Sequence, residues 1–296
     1  MFAATNPTGE TALQDRARAC LTAMLSRNPD FFESRAALLK YALADGLDIA
    51  ETGKAQHGRA EDGPVWQYWA QGKDDAPPLV QSCFQSVERH LGRRDIIVVD
   101  DSSWRRYVQL DAHIAAKSAS MTRTHFSDIL RVELLHKYGG TWMDATVFLS
   151  DEPPEPMTEA KFFAFTRNAD PFLLSSWFMT AQAGHCLIAA LKEMLAHYWR
   201  ENDALIDYFL LHHLFECAVT ANGNLAQAWK KGPRYSSYVA HELQHRLARP
   251  FDRQTFQAIC ALTPVHKLTY KIDIPAMPGP SFFQAISTGD PAIFGE

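Results

Sequence analysis

Residues 125–150, HFSDILRVELLHKYGGTWMDATVFLS, change apolar period at their centre. Ile129, Leu130, Val132, Leu134 and Leu135 recur at helical spacing. Gly139 and Gly140 end that helix, because glycine takes positive φ without steric cost. Residues 141–149 then form a β-branched and aromatic run, which suits a strand. Asp144 stands inside that run. A carboxylate there is costly unless it is paired, hydrogen-bonded or bound to a metal. Asp128 and Arg131 are three apart and so share one face of the helix.

The rest of the chain supplies a frame for this junction. Residues 65–70 (VWQYWA), 95–100 (DIIVVD), 161–166 and 176–181 read as further strands, and 78–91 and 122–138 as helices. Long helices are predicted around 186–200, 203–220 and 237–248. Such alternation predicts an α/β fold with a Rossmann-type, mainly parallel sheet flanked by helices. Ligands of such sheets sit at the carboxyl ends of the strands, where Trp69, Asp100, Asp101 and Asp144 fall. Residues 11–50 carry helical periodicity broken at Pro29, and 51–63 are polar and glycine-containing. The chain therefore divides into an N-terminal helical extension with linker, 1–60, and a main domain, 61–296. The extension reads as a helical pair packed on the main domain, with a platform for acceptor or partner as the functional alternative.

A formal charge of −5 argues against a nucleic-acid binder, which needs a basic footprint, and means that any anionic ligand needs local cations. The five cysteines are scattered without a C-x-x-C and read as buried thiols of a reducing compartment. The first twenty residues lack the basic and apolar regions of a signal peptide. No run reaches the roughly 18 apolar residues of a spanning helix. A cytoplasmic protein is expected, with peripheral contact at the inner membrane left open.

Ser127, Asp128 and Arg131, then Gly139, Gly140, Trp142, Asp144 and Thr146, spell S-D-x-x-R…G-G-x-W-x-D-x-T. This resembles the capsular polysaccharide synthesis protein family, and more widely the sugar transferases with S-D-x-x-R…G-G-x-[YW]-x-D-x-D. PVWQYWAQG at 64–72, DYFLLHHLF at 207–215 and PVHKLTYK at 264–271 look like further blocks of that family in the right order. The resemblance implies a GT-A type, retaining glycosyltransferase. Its donor would be a UDP- or GDP-sugar, its acceptor a glycan or lipid-linked glycan, and its cofactor Mn²⁺ or Mg²⁺. It sets the nucleotide against the first strand, at Trp66, Gln67 and Trp69. It gives Arg131 the diphosphate and Asp128 the sugar hydroxyls, beside Ser127, Gly140 and Trp142. Asp144 would bind the cation, with Thr146 and His266 as further ligands, and Lys267 and Lys271 would meet the diphosphate. Asp207 would join Asp128 and Asp144 as a catalytic carboxylate near the anomeric carbon. Thr146 departs from the wider pattern, which has a second aspartate there, and a hydroxyl is a poorer ligand for a hard cation. The capsular family itself commonly shows D-A-T.

The chemistry of each residue type fits these roles, beside plainer ones. Aromatic faces stack on bases, yet Trp66 and Trp69 also suit a core. A leaving diphosphate gains charge in the transition state, and preorganised cations there contribute several kcal/mol. Arginine can meet it with two parallel hydrogen bonds. The plain alternative for Asp128 and Arg131 is a surface ion pair, worth under about 1 kcal/mol. Asp207 also suits a helix N-terminus, and His212 and His213 have apolar neighbours that suggest packing.

Two readings compete from other classes. His241-Glu242-Leu243-Gln244-His245 matches the H-E-x-x-H zinc peptidase signature, which requires both histidines on one helix and a third ligand. Thr146 in place of an acid would also suit a degenerate transferase fold that binds sugar or nucleotide without turnover.

Overall fold

A computed structural model describes residues 9–27, 32–44, 63–167 and 173–289. The chain opens with helices α1 (Gly9–Arg27) and α2 (Phe32–Ala42), then β1 (Val65–Tyr68), α3 (Pro78–Leu91) and β2 (Ile96–Val99). Next come α4 (Ala112–Lys117), α5 (Arg123–Tyr138), β3 (Gly140–Met143), β4 (Val147–Leu149), α6 (Glu155–Thr158), β5 (Phe162–Thr166) and β6 (Leu174–Ala181). Helices α7 (Cys186–Glu201), α8 (Leu210–Ala221), α9 (Gly223–Lys231), α10 (Ser237–Ala240), α11 (Glu242–Arg246) and α12 (Arg253–Cys260) follow, then β7 (Val265–Lys267) and α13 (Phe282–Thr288).

Among the described residues the main sheet has five strands in the order β2-β1-β3-β6-β5. β1 is parallel to β2 and β3, β6 is antiparallel to β3, and β5 is antiparallel to β6. Only β6 is therefore reversed, and the fold is the expected α/β sheet, mainly parallel, with helices on both faces. Side chains alternate across it. Trp66, Tyr68 and Trp142 join a core with α5, α7 and α8, while Val65 and Met143 join Val87 and Leu91 of α3.

The junction after α5 explains how β3 finds its place. Thr122 caps the helix by accepting from His125 N, and Gly139 ends it at φ +68° with its N–H on Leu135 O, 3.0 Å. Gly140 has φ +91°, and a Cβ there would lie 2.1 Å from Pro64 O. Only glycine lets β3 lie this close to the chain entering β1.

The expected strand over 141–149 is in fact two strands in two sheets. β3 ends at Met143, the chain turns through 144–146 with Val147 N on Asp144 O (2.9 Å), and β4 pairs antiparallel with β7 in a separate small sheet. The apolar run continues through the turn because both strands are buried, so composition did not mark the break. The helix expected over 237–248 is likewise two short ones, α10 and α11, and the one expected over 203–220 starts at Leu210.

The N-terminal helices are not set apart. α1 and α2 pack on α8, and Cys20, Leu38, Leu39, Tyr41 and Ala42 belong to the same apolar core as α5 and α7. Buried Arg35 of α2 donates from Nε to His213 Nδ1 of α8 at 3.4 Å. Pro29, and the expected linker up to residue 62, lie outside the described residues.

Candidate active site

A cleft of about 580 Å³ opens where the carboxyl ends of β1 and β3 meet α5, β7 and the loop before α8. Its lining includes Trp69, Ser127, Arg131, Trp142, Asp144, Thr146, Lys267 and Lys271. These eight, expected from scattered blocks of sequence, are brought together.

Asp144 is the hub. Trp142 and Asp144 are two apart and so face the same side of β3. The Trp142 indole N–H donates to Asp144 Oδ1 at 3.0 Å. Arg131 Nη2 donates to the same oxygen at 3.0 Å, and Lys267 Nζ donates to Oδ2 at 2.8 Å and to Thr146 Oγ1 at 2.6 Å. Arg131 also pairs through Nη1 with Asp128 Oδ1 at 2.7 Å, and its guanidinium lies over the Trp142 ring, 5.1 Å from the centroid. Burial pushes the Asp144 carboxyl up, but Lys267 and Arg131 outweigh it and hold the group below the usual carboxylate range. Burial does win at Asp128, which is held above its ordinary value despite Arg131.

Backbone pairing fixes Lys267 in place. Lys267 lies opposite Val147 in the β4–β7 register, and Leu268 N donates to Thr146 O at 2.9 Å. The next residues, Thr269, Tyr270 and Lys271, continue along the cleft wall. Tyr270 meets Trp69 edge to face at 5.4 Å.

The charge of the wall is opposite to that of the chain. The lining holds four cations, Arg123, Arg131, Lys267 and Lys271, against one carboxylate, Asp144. Arg123 is also paired with Asp101, 2.6 Å away.

Six expected site residues do not line the cleft: Trp66, Gln67, Gly140, Asp128, Asp207 and His266. Trp66 is in the core, 1% exposed, with its indole N–H on Gly139 O at 3.0 Å and its ring against Tyr107 and Tyr138. Gln67 is fully buried on the opposite face of β1 from Trp66. Gly140 serves the backbone approach to Pro64. Asp128 sits behind Arg131 and reaches the cleft only through it. Asp207 turns its carboxylate back into its own loop, accepting from Phe209 N at 2.7 Å and from His213 Nε2 at 3.0 Å.

That loop is fixed from two sides. His213 holds Asp207, and His125 Nε2 of α5 is hydrogen-bonded to Tyr208 O at 3.1 Å. Tyr208, 61% exposed, is the side chain that this loop presents to the cleft. Sequence reading missed Tyr208, Arg123 and Gln244. Tyr208 lies next to the acid that drew attention, and Gln244 lies inside a motif read for another chemistry.

The expected cation does not fit the residues present. Asp144 is the sole carboxylate of the lining among the described residues, and both its oxygens already accept from cations. The Thr146 hydroxyl is taken by the same ammonium. His266, expected as a ligand, is fully buried, hydrogen-bonded through Nε2 to Ser150 Oγ at 2.9 Å and set against Phe148. A hard divalent ion takes about six oxygen ligands, and among the described residues no three His, Cys, Asp or Glu stand close enough to hold a metal.

The H-E-x-x-H pattern also fails to form a zinc site. His241 closes α10 and caps α11, with His245 N donating to His241 O at 3.2 Å, but among the described residues no third His, Cys, Asp or Glu stands close enough to complete a zinc site. His241 Nδ1 is 2.6 Å from Ser237 O, and its ring packs edge-on against Trp177.

Comparison with known proteins agrees with the residue pattern. The chain is 26% identical over 174 residues to O-glycosyltransferase PaGT of Phomopsis amygdali, covering 51% of this chain and 43% of that protein. It is 26% identical over 189 residues to O-glycosyltransferase braB of Annulohypoxylon truncatum, covering 54% of this chain and 45% of that one. Both matches span less than half of the relative's length. Among solved structures it is similar to PaToxG Glycosyltransferase, with TM-score 0.44 and 8% identity over 75% of this chain and 84% of that one. The profile of the family described as capsular polysaccharide synthesis protein matches residues 36–286, so the chain belongs to that family.

Proposed function

We propose that this protein is a glycosyltransferase of GT-A type that moves a sugar from a nucleoside diphosphate to a hydroxyl of a surface-polysaccharide precursor. The observation that carries this reading is a cation-lined cleft, built around one fixed carboxylate, at the strand ends of an acidic chain. The donor's diphosphate is the anion that matches Arg131, Lys267 and Lys271. Trp69 with Tyr270 offers an aromatic corner for a base, and UDP- and GDP-sugars are both candidates. Membership of the capsular family supports a glycan or lipid-linked glycan as acceptor. Among the described residues no helix is long and apolar enough to cross a membrane. We place the work at the cytoplasmic side, where such donors are made.

In the step itself, the bond from the anomeric carbon to the β-phosphate oxygen breaks and its electron pair goes to the phosphate. The acceptor oxygen forms the new bond to the anomeric carbon and gives up its proton. Asp144 is a poor base for that proton, since Arg131 and Lys267 keep its carboxyl low. The departing phosphate is the remaining acceptor, which puts nucleophile and leaving group on one face and supports retention. Arg131 and Lys267 stabilise the charge that grows on the leaving group, and Asp144 orients both.

A hydrolysis and transfer screen over UDP- and GDP-sugars tests the reading. Release of nucleoside diphosphate, lost in Asp144→Asn, is expected. Nucleotide binding without any release would make the protein a binding module, and no binding at all would remove the reading.

A further inference from the structure

Resting on that transferase reading, we propose that Lys267 takes the place of the divalent cation, so that donor binding and transfer proceed without metal. A metal-assisted transferase of this type holds its ion between two acidic side chains at the end of a strand. Here the corresponding positions are Asp144 and Thr146, and the Lys267 ammonium bridges them at 2.8 and 2.6 Å.

Three observations support the substitution. First, the ammonium is held by the fold. Lys267 is paired in β7 opposite Val147, its neighbour Leu268 is hydrogen-bonded to Thr146 O, and its side chain is only 18% exposed. Second, the local charge already closes. Asp128 and Asp144 balance Arg131 and Lys267, with separations of 2.7 to 3.0 Å. A divalent ion at Asp144 would add two positive charges beside two existing ones, with one carboxylate to share. Third, threonine suits an ammonium as an aspartate would not. A hydroxyl accepts the ammonium's hydrogen bond without adding the second negative charge that an aspartate would set against the diphosphate. An ammonium has three donors. Two are used here, on Asp144 and Thr146, and the third is left for a phosphate oxygen.

The test is calorimetric titration of the full chain with UDP and with GDP, in EDTA and again in excess Mn²⁺, with donor hydrolysis measured alongside. Wild type is expected to bind one nucleotide equally well in both conditions, within about twofold, and to turn over in EDTA. Lys267→Met is expected to bind roughly ten- to hundredfold more weakly in EDTA, the loss of a charged hydrogen bond. It should recover in Mn²⁺, because Asp144 Oδ2, Thr146 Oγ1 and the phosphates then become available to the ion. Lys267→Arg should stay independent of metal. Wild type that binds and turns over only with Mn²⁺ would overturn the proposal and leave the transferase reading standing. Failure to bind any nucleotide in either condition would instead remove the transferase reading, and this inference with it. If Lys267→Met does not fold, the wild-type comparison of EDTA with Mn²⁺ decides alone.

Discussion

The Trp142 indole N–H is hydrogen-bonded to Asp144 Oδ1, 3.0 Å away and two residues on along the same strand face. This explains why an aromatic with a donor stands at that spacing. The indole fixes the carboxylate that in turn fixes Arg131 and Lys267. Trp142→Phe removes the donor and keeps most of the buried ring. Its turnover should drop about tenfold, the value of one charged hydrogen bond. Asp144→Asn should lose about a hundredfold or more. Steady-state rates with the donor found by screening order the two, and equal losses would refute the hierarchy.

Arg131 spans two carboxylates, and its side chain is 4% exposed. Arg131→Met leaves Asp128 buried without its cation, which should cost about 3–5 kcal/mol of stability. Because burial already raises the Asp128 carboxyl, that group neutralises readily, and the deficit should shrink as pH falls. Adding Asp128→Asn to Arg131→Met should recover part of the loss. Urea unfolding of the single and double variants at pH 7 and pH 5 reads both effects.

His266 and His212 are held neutral by burial, with pKa values lowered to about 3 from the ordinary 6.5. Between those values the unfolded chain binds their protons and the folded one does not. Stability should therefore be full above pH 6.5 and fall as pH drops toward 3, by about 1.4 kcal/mol per unit for each histidine. His266→Leu should flatten the slope of unfolding free energy against pH by about that amount. An unchanged slope between pH 6 and pH 4 would show that His266 is protonated in the folded protein.

Gly140→Ala places a methyl 2.1 Å from Pro64 O at a φ of +91°. Neither the strain nor the clash can relax without moving β3 from β1. The variant should be destabilised by several kcal/mol and recovered mostly insoluble. Soluble protein with a melting temperature near wild type would contradict the close approach.

Much of this architecture is readable in the sequence, for definite reasons. Helix α5 shows in its apolar spacing, its stop shows in two glycines, and α3 begins at a proline suited to a first helical turn. The break between β3 and β4 does not show, because Ala145 and Thr146 sit in a run that is buried on both sides of the turn. The cleft residues that were legible, such as Arg131 and Asp144, are charges in apolar surroundings. Those expected at the site but set elsewhere are residues whose type fits two environments. Trp66 and Trp69 stand three apart in sequence, yet strand alternation sends one to the core and the other to the cleft. Asp207 fits a catalytic acid and a loop cap equally well until His213 is seen beside it. His266 and Lys267 are adjacent, and the same alternation buries the first and exposes the second to the site.

The pairing of β4 with β7 joins residues 121 positions apart at Thr146 and Lys267. As the chain emerges from the ribosome, Asp128, Arg131 and Asp144 are all present long before their last partner. Until β7 docks, Asp144 has one cationic neighbour and the cleft lacks the wall formed by residues 267–271. Completion of the cleft thus waits for residues 264–271, and a chain that stops short of them lacks both the ammonium on Asp144 and the wall beside it.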